Sequence, residues 1–189
     1  MKLKLCSRLS TTLTILLGVA SGIGLALGAL SAVSSATKVV EHRPEDNAVL
    51  PHVVIGLLVL GFIIGAMIST RSMRWFWWPI DASVGERFGR TFRSSRNSFS
   101  GLLRSVGAVI LQAFMALLVF RMGFQATAGM ASSFSVNAWG GPSAFGAFMA
   151  HGVDAVVCLI VACLALDRVL VPTNPSVRTD AGQGAGRPG

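Results

Sequence analysis

The chain has 189 residues, of which 52% are hydrophobic and only 13% are charged, a composition far from that of a soluble globular domain. Its net charge is +8, but the basic residues lie beside the ends of apolar stretches, where membrane topology accounts for them. We therefore expect no nucleic-acid partner.

Four apolar stretches are long enough to cross the roughly 30 Å of hydrocarbon in a bilayer. The predicted spans are about 10–36, 50–70, 105–124 and 144–166. The sequence predicts an all-α fold, a four-transmembrane-helix bundle in one domain over 1–170. The Gly- and Pro-containing tail 171–189 is predicted to be disordered.

The first stretch also has features of a secretory signal peptide. Lys2, Lys4 and Arg8 form a basic leader, and Ser34, Ser35 and Ala36 resemble a cleavage site. A cleavable apolar core is usually about 7–15 residues long, and this stretch is longer. We favour a membrane anchor that is retained.

The distribution of positive charge predicts the orientation. Seven arginines lie between the second and third spans, and the loop 37–49 before the second span carries acidic residues. By the positive-inside rule, both termini are cytoplasmic. The excess of Arg over Lys is typical of a GC-rich bacterial genome, so we expect a multi-pass protein of a bacterial cytoplasmic membrane.

The basic loop 71–104 combines aromatic and cationic residues. Its tryptophans follow the second span directly, where an aromatic belt is expected, and the segment 83–103 has a largely helical apolar repeat. Such a segment could bind anionic lipid or a cytoplasmic partner, or serve only as a topology signal. The candidate contact residues are Trp75, Trp77, Trp78, Arg87, Arg90, Arg93 and Arg96.

Small residues recur at four-residue spacing in three spans. Because lipid is as apolar as leucine, membrane helices associate where small side chains let backbones approach. These stripes predict a tightly packed bundle, a partner-facing surface, or both. The candidate packing residues are Gly24 and Gly28 in the first span, Gly61 and Gly65 in the second, and Gly146 and Ala150 in the fourth.

The last two spans carry polar residues, which are costly in hydrocarbon and often functional. Two interpretations remain open. Arg121 and Asp154 form a buried ion pair that sets helix register, or the polar residues form a proton relay, a haem or metal site, or the mouth of a substrate path. The candidate intramembrane cluster is His52, Gln112, Arg121, His151 and Asp154.

The sequence contains no phosphate-binding glycine loop, HExxH, CxxC or serine elbow. Cys6, Cys158 and Cys163 have no metal-ligand spacing. We expect no catalytic residues, no metal and no cofactor. The favoured hypothesis is a non-catalytic subunit or assembly partner of a larger membrane complex. A small homo-oligomeric transporter or channel is the alternative, and a haem or quinone redox subunit is a further one.

Overall fold

The computed structural model describes residues 9–41, 48–70, 78–139 and 142–172. Within these ranges the chain is helical and contains no strand. The helices are α1 (Thr11–Ser35), α2 (Val49–Thr70), α3 (Ala82–Ser94), α4 (Phe99–Ala128), the single turn α5 (Ser132–Ser135) and α6 (Ala144–Val169), with a 3₁₀ turn at Trp78–Ile80.

Four of these helices are long and apolar enough to span a membrane, namely α1, α2, α4 and α6. Three of them begin and end close to the predicted bounds. The third span is longer than predicted, because α4 begins at Phe99 and ends at Ala128. Arg104 therefore lies inside a helix, where its long side chain remains exposed.

The amphipathic segment 83–103 is divided between two helices. α3 ends at Ser94, and a new helix begins after Ser98, whose hydroxyl accepts a hydrogen bond from the Gly101 N–H at 3.1 Å. Serine side chains compete with the helical backbone for hydrogen bonds, which explains the break. A Cβ atom at Gly101 would overlap the Ser94 carbonyl, so the turn between α3 and α4 requires glycine there.

α4 is the central helix of the bundle, with α1 on one side and α6 on the other. α1 runs parallel to α4, since Ser21 approaches Gly123 and Leu25 accepts a hydrogen bond from Thr127 at 2.9 Å. α6 runs antiparallel to α4. These directions are the ones expected if each span crosses the membrane in the direction opposite to the one before it.

α3 covers one end of the bundle, which we call the α3 end: the start of α1, the start of α4 and the end of α6. The main buried cluster lies here, where Val84 of α3 is fully buried. The other members are Leu13, Ala108, Met115, Ala162, Leu166 and Leu170. The opposite end, the loop end, is formed by the end of α1, the start of α2, the end of α4 and the start of α6.

Glycine allows α1 and α4 to cross in backbone contact. A Cβ atom at Gly24 would overlap the Phe120 carbonyl oxygen, and one at Gly28 would overlap that of Phe124. From the other side, a Cβ atom at Gly123 would lie 2.5 Å from the Ser21 carbonyl oxygen. The sequence stripes did not identify Gly123, although it forms the α4 half of this crossing.

α2 lies at the edge of the bundle and packs chiefly against α6. The contact is near the start of α2, where a Cβ atom at Gly56 would lie 3.2 Å from Val153. Farther along, Cβ atoms at Gly61 and Gly65 would have no neighbour within 4 Å. Three helices therefore pack closely, whereas within the described ranges the second span packs on α6 near its start.

Candidate functional site

Polar side chains of three helices meet near the loop end. Nη2 of Arg121 on α4 donates to Nδ1 of His151 on α6 at 3.3 Å. Nε2 of His52 on α2 lies 3.7 Å from Oδ2 of Asp154. We call these four residues the polar quartet. An arginine only donates, so Nδ1 of His151 is the acceptor, and the ring proton of neutral His151 is on Nε2.

The pairing within the quartet differs from the expected one. Asp154 lies 3.7 Å from His52, and no Arg121–Asp154 ion pair is present among the described residues. The reason is α2, whose docking places His52 beside α6. The ring is oriented by its own helix, because Nδ1 lies 2.7 Å from the Ala48 carbonyl oxygen.

This geometry constrains the proton between His52 and Asp154. Nδ1 of His52 donates to a carbonyl, so in a neutral ring Nε2 carries a lone pair that faces a carboxylate oxygen. At 3.7 Å the two atoms are within ion-pair range but beyond direct hydrogen-bond distance. The two side chains are therefore electrostatic neighbours without a direct hydrogen bond.

The quartet opens to the side of the bundle rather than to its interior. The Asp154 side chain is 49% exposed, that of His52 is 13% exposed, and Arg121 is exposed. The indole of Trp139, from the loop before α6, lies 6.1 Å from the His52 ring and partly covers it. Asp154 was expected to face other helices, but half of its side chain is uncovered by this chain.

Gln112 is not part of the quartet. It lies on the face of α4 that carries Ala108 and Met115, and only 7% of its surface is exposed. Nine residues separate it from Arg121, which is about 13 Å along a helix. Among the described residues, neither its amide nitrogen nor its amide oxygen has a hydrogen-bond partner.

A second polar arrangement occupies the α3 end, and it centres on Arg87. Nη1 donates to Oδ1 of Asp167 at 2.6 Å, and Nη2 donates to the carbonyls of Asp167 and Leu170 at 2.7 and 3.1 Å. Nε donates to the carbonyl of Val171 at 3.3 Å. The guanidinium group thus satisfies the carbonyls that the end of a helix leaves free. Arg87, predicted as a lipid or partner contact, is engaged within the chain.

Thr91 connects the same elements. Its hydroxyl donates to the Arg87 carbonyl at 2.8 Å and accepts from the Val171 N–H at 3.1 Å. The Ser105 hydroxyl donates to the Thr91 carbonyl at 3.0 Å. These bonds join α3, α4 and the end of α6. Sequence reasoning missed both Asp167 and Thr91. Asp167 could have been found, because it is an acidic residue at the end of an apolar span and so needs a cationic partner.

The other predicted contact residues have different surroundings. Arg93 and Arg96 are exposed, and Arg90 is half-buried. Trp78 packs against the buried cluster, whereas Trp75 and Trp77 lie outside the described residues. On α6, Gly146 and Ala150 are buried.

The uncharged loop after α4 packs on its own chain. The Ser133 hydroxyl donates to the Ser35 carbonyl at 2.8 Å, and the Asn137 amide donates to the Glu41 carbonyl at 3.0 Å. Within the described ranges, no three His, Cys, Asp or Glu side chains are close enough to hold a metal ion. Cys158 and Cys163 are free thiols, and Cys6 lies outside those ranges.

The fold and the quartet define a class of protein: an all-α chain with four helices able to span a membrane and a laterally open polar cluster. The sequence matches no protein-family model, and comparison with curated proteins and with solved structures gives no significant match.

Proposed function

We propose that this chain is a non-catalytic, multi-pass subunit or assembly partner of a membrane protein complex, and that the quartet lies on the surface that contacts its partner. The proposed location is a bacterial cytoplasmic membrane, with both termini and the α3 end on the cytoplasmic side. The partners are other membrane subunits and the surrounding lipid, including anionic lipid.

The lateral exposure of Asp154 and Arg121 carries the proposal. A charged side chain at the centre of a membrane helix costs at least about 2.5–3.5 kcal/mol. The Asp154 carboxyl is half uncovered by this chain, and its neighbour His52 does not enclose it. A polar or small-residue surface from another subunit would remove this exposure.

The position of α2 supports the same conclusion. Within the described residues α2 packs on α6 near its start, and its Gly61 and Gly65 leave open space on the helix surface. Close approach at such residues is how membrane helices associate. A stripe of small residues alone would be weak support, but here it is on the helix that also contributes His52.

Site-specific photo-cross-linking tests the proposal in intact cells. A photo-reactive benzoyl-phenylalanine replaces Leu117, which is 58% exposed and lies one turn before Arg121 on α4. The matched control replaces Leu30, which is 64% exposed on α1. We expect Leu117 to yield a defined adduct with another membrane protein, and Leu30 to yield much less of it.

Purification in mild detergent, with native mass measurement, then gives the stoichiometry of that adduct partner. Adducts with lipid alone at both positions would rule out the subunit hypothesis. Adducts only between copies of this chain would favour the homo-oligomeric alternative. An absorption spectrum of the same sample tests the haem hypothesis directly.

Orientation has its own test. A fluorescent protein that folds only in the cytoplasm and an alkaline phosphatase that is active only outside are each fused after Gly189. We expect fluorescence and no phosphatase activity. The reverse pattern would show that the α3 end faces outward.

The transporter or channel alternative is favoured by one specific observation, the 3.7 Å approach of His52 to the half-exposed Asp154 carboxylate. In that case Asp154→Asn abolishes proton-coupled flux into vesicles while the oligomer remains intact. Glu86→Gln, which removes one exposed carboxylate from α3, is the matched control and should leave flux unchanged.

A further inference from the structure

A cleft of about 410 Å³ opens at the α3 end, beside the arginine-capped end of α6. Arg87 and Arg104 contribute from α3 and α4. The remaining lining residues come from α6 and the segment after it: Asp167, Arg168, Leu170 and Pro172. Its volume is within the range of small-ligand sites.

The charges around the cleft are not balanced. Three arginines and one aspartate line it, and the aspartate is already bound to Arg87 at 2.6 Å. The other Arg87 nitrogens are occupied by backbone carbonyls. Arg104 and Arg168 are both exposed, and neither is hydrogen-bonded or ion-paired to any residue in the described part of the chain.

Arg104 and Arg168 lie close to one contact between α4 and α6. A Cβ atom at Gly107 would lie 3.6 Å from Val169, which places the start of α4 beside the end of α6. Arg104 is just under one turn before Gly107, and Arg168 immediately precedes Val169. Two guanidinium groups with free donors thus flank one opening, which suits an anion that accepts several hydrogen bonds.

Apolar side chains accompany these arginines. Leu170 and Pro172 line the cleft itself. Outside the cleft, Leu102 and Leu103, which precede Arg104 on α4, are 47% and 56% exposed, and Phe99 is 74% exposed. A soluble anion would gain nothing from these neighbours. An amphiphile would place its charged group at the arginines and its hydrocarbon along the apolar side chains.

We propose that this cleft binds the phosphate of an anionic phospholipid headgroup, with Arg104 and Arg168 as the residues that hold it. Basic pockets at the cytoplasmic side of membrane helices bind such headgroups in general. Arg87 is a positioning residue here, since it fixes the end of α6 that carries Arg168. The site depends on the membrane location proposed above but not on a partner subunit, so each proposal can fail without the other.

Lipid binding by the full chain, purified in mild detergent and titrated by native mass spectrometry, tests the site. The probes are cardiolipin and a phosphatidylcholine with the same acyl chains. The variant is R104Q/R168Q, and the matched control R93Q/R96Q removes the same number of charges from exposed positions near the end of α3 and in the turn after it. Circular dichroism verifies that both variants fold.

We expect cardiolipin to bind more tightly than phosphatidylcholine to the unaltered chain. R104Q/R168Q should weaken cardiolipin binding by about tenfold or more, because charge-assisted hydrogen bonds are lost. R93Q/R96Q should change it by less than about twofold, because these exposed charges do not line the cleft and are screened by salt. Equal losses in the two variants would show that only overall charge matters and would overturn the proposal.

A second arm distinguishes the source of the phosphate. Inorganic phosphate is added to the cardiolipin complex at constant ionic strength, with chloride as the reference anion. We expect no more displacement by phosphate than by chloride, because contacts between the acyl chains and exposed apolar side chains of α4 contribute to lipid binding. Displacement by phosphate alone would assign the site to a soluble anion and contradict the lipid assignment.

Discussion

The crossing of α1 and α4 makes a quantitative prediction for Gly24. Gly24→Ala places a methyl group against the carbonyl of Phe120 and the backbone nitrogen of Phe124. Backbone atoms of a packed helix cannot rotate away as a side chain does, so the two helices must separate. Overpacking of this kind costs about 1–3 kcal/mol, and the rigid neighbours favour the upper part of that range.

The opposing contribution is the helix propensity of alanine, which exceeds that of glycine by about 1 kcal/mol. We therefore expect Gly24→Ala to destabilise the protein by about 2 kcal/mol overall. Gly61→Ala is the matched control, because a Cβ atom there has no neighbour within 4 Å. That variant should be neutral or slightly more stable.

The assay is unfolding from mixed micelles by increasing dodecyl sulfate, followed by far-ultraviolet circular dichroism. Both variants and the unaltered chain are measured under the same conditions, so that the difference between the two alanine variants is the quantity of interest. We expect it to be about 2–3 kcal/mol. If Gly24→Ala is as stable as Gly61→Ala, α1 and α4 do not cross in backbone contact and the reasoning fails.

Three further substitutions test the α3 end and the docking of α2. Arg87→Ala should destabilise the protein by about 2 kcal/mol in the same unfolding assay, because it removes charge-assisted bonds to the end of α6, whereas Arg93→Ala should cost less than about 0.5 kcal/mol. Thr91→Val should cost about 1 kcal/mol, since it leaves the part-buried Val171 N–H without its acceptor. In a chain without its native cysteines, Gly56→Cys with Val153→Cys should form a disulfide under mild oxidation, detected by a mobility shift on a non-reducing gel.

Each of these has a result that contradicts it. Equal effects of the two arginine substitutions would mean that the bonds to α6 contribute nothing measurable. An unchanged Thr91→Val variant would mean that water or another acceptor replaces the hydroxyl. For the disulfide, the control moves the first cysteine to Gly61; cross-linking at both positions with equal yield would show that α2 is not docked where the structure has it.

The amino-acid sequence was sufficient to predict the helices that could cross a membrane. Leu9 to Thr37 has no ionisable side chain, and a run of that length and apolarity has few alternatives to a helix. The break after Ser94 had a local cause as well. Serine and asparagine side chains compete with the helical backbone for hydrogen bonds, whatever the tertiary environment of the helix. Local chemistry decides these features, so a sequence is enough to predict them.

Partner choice is different, because it depends on which helix faces are brought together. The positions of Asp154 and Arg121 along their helices put them within reach of each other, but the position of α2 makes His52 the neighbour of Asp154. Similarly, Arg87 had the spacing of a surface residue, and only the approach of α6 gave it Asp167 and three carbonyls to bind. Heights along a helix follow from a fixed rise per residue, whereas contacts between helices follow from the packing of the whole chain, which only the tertiary structure determined.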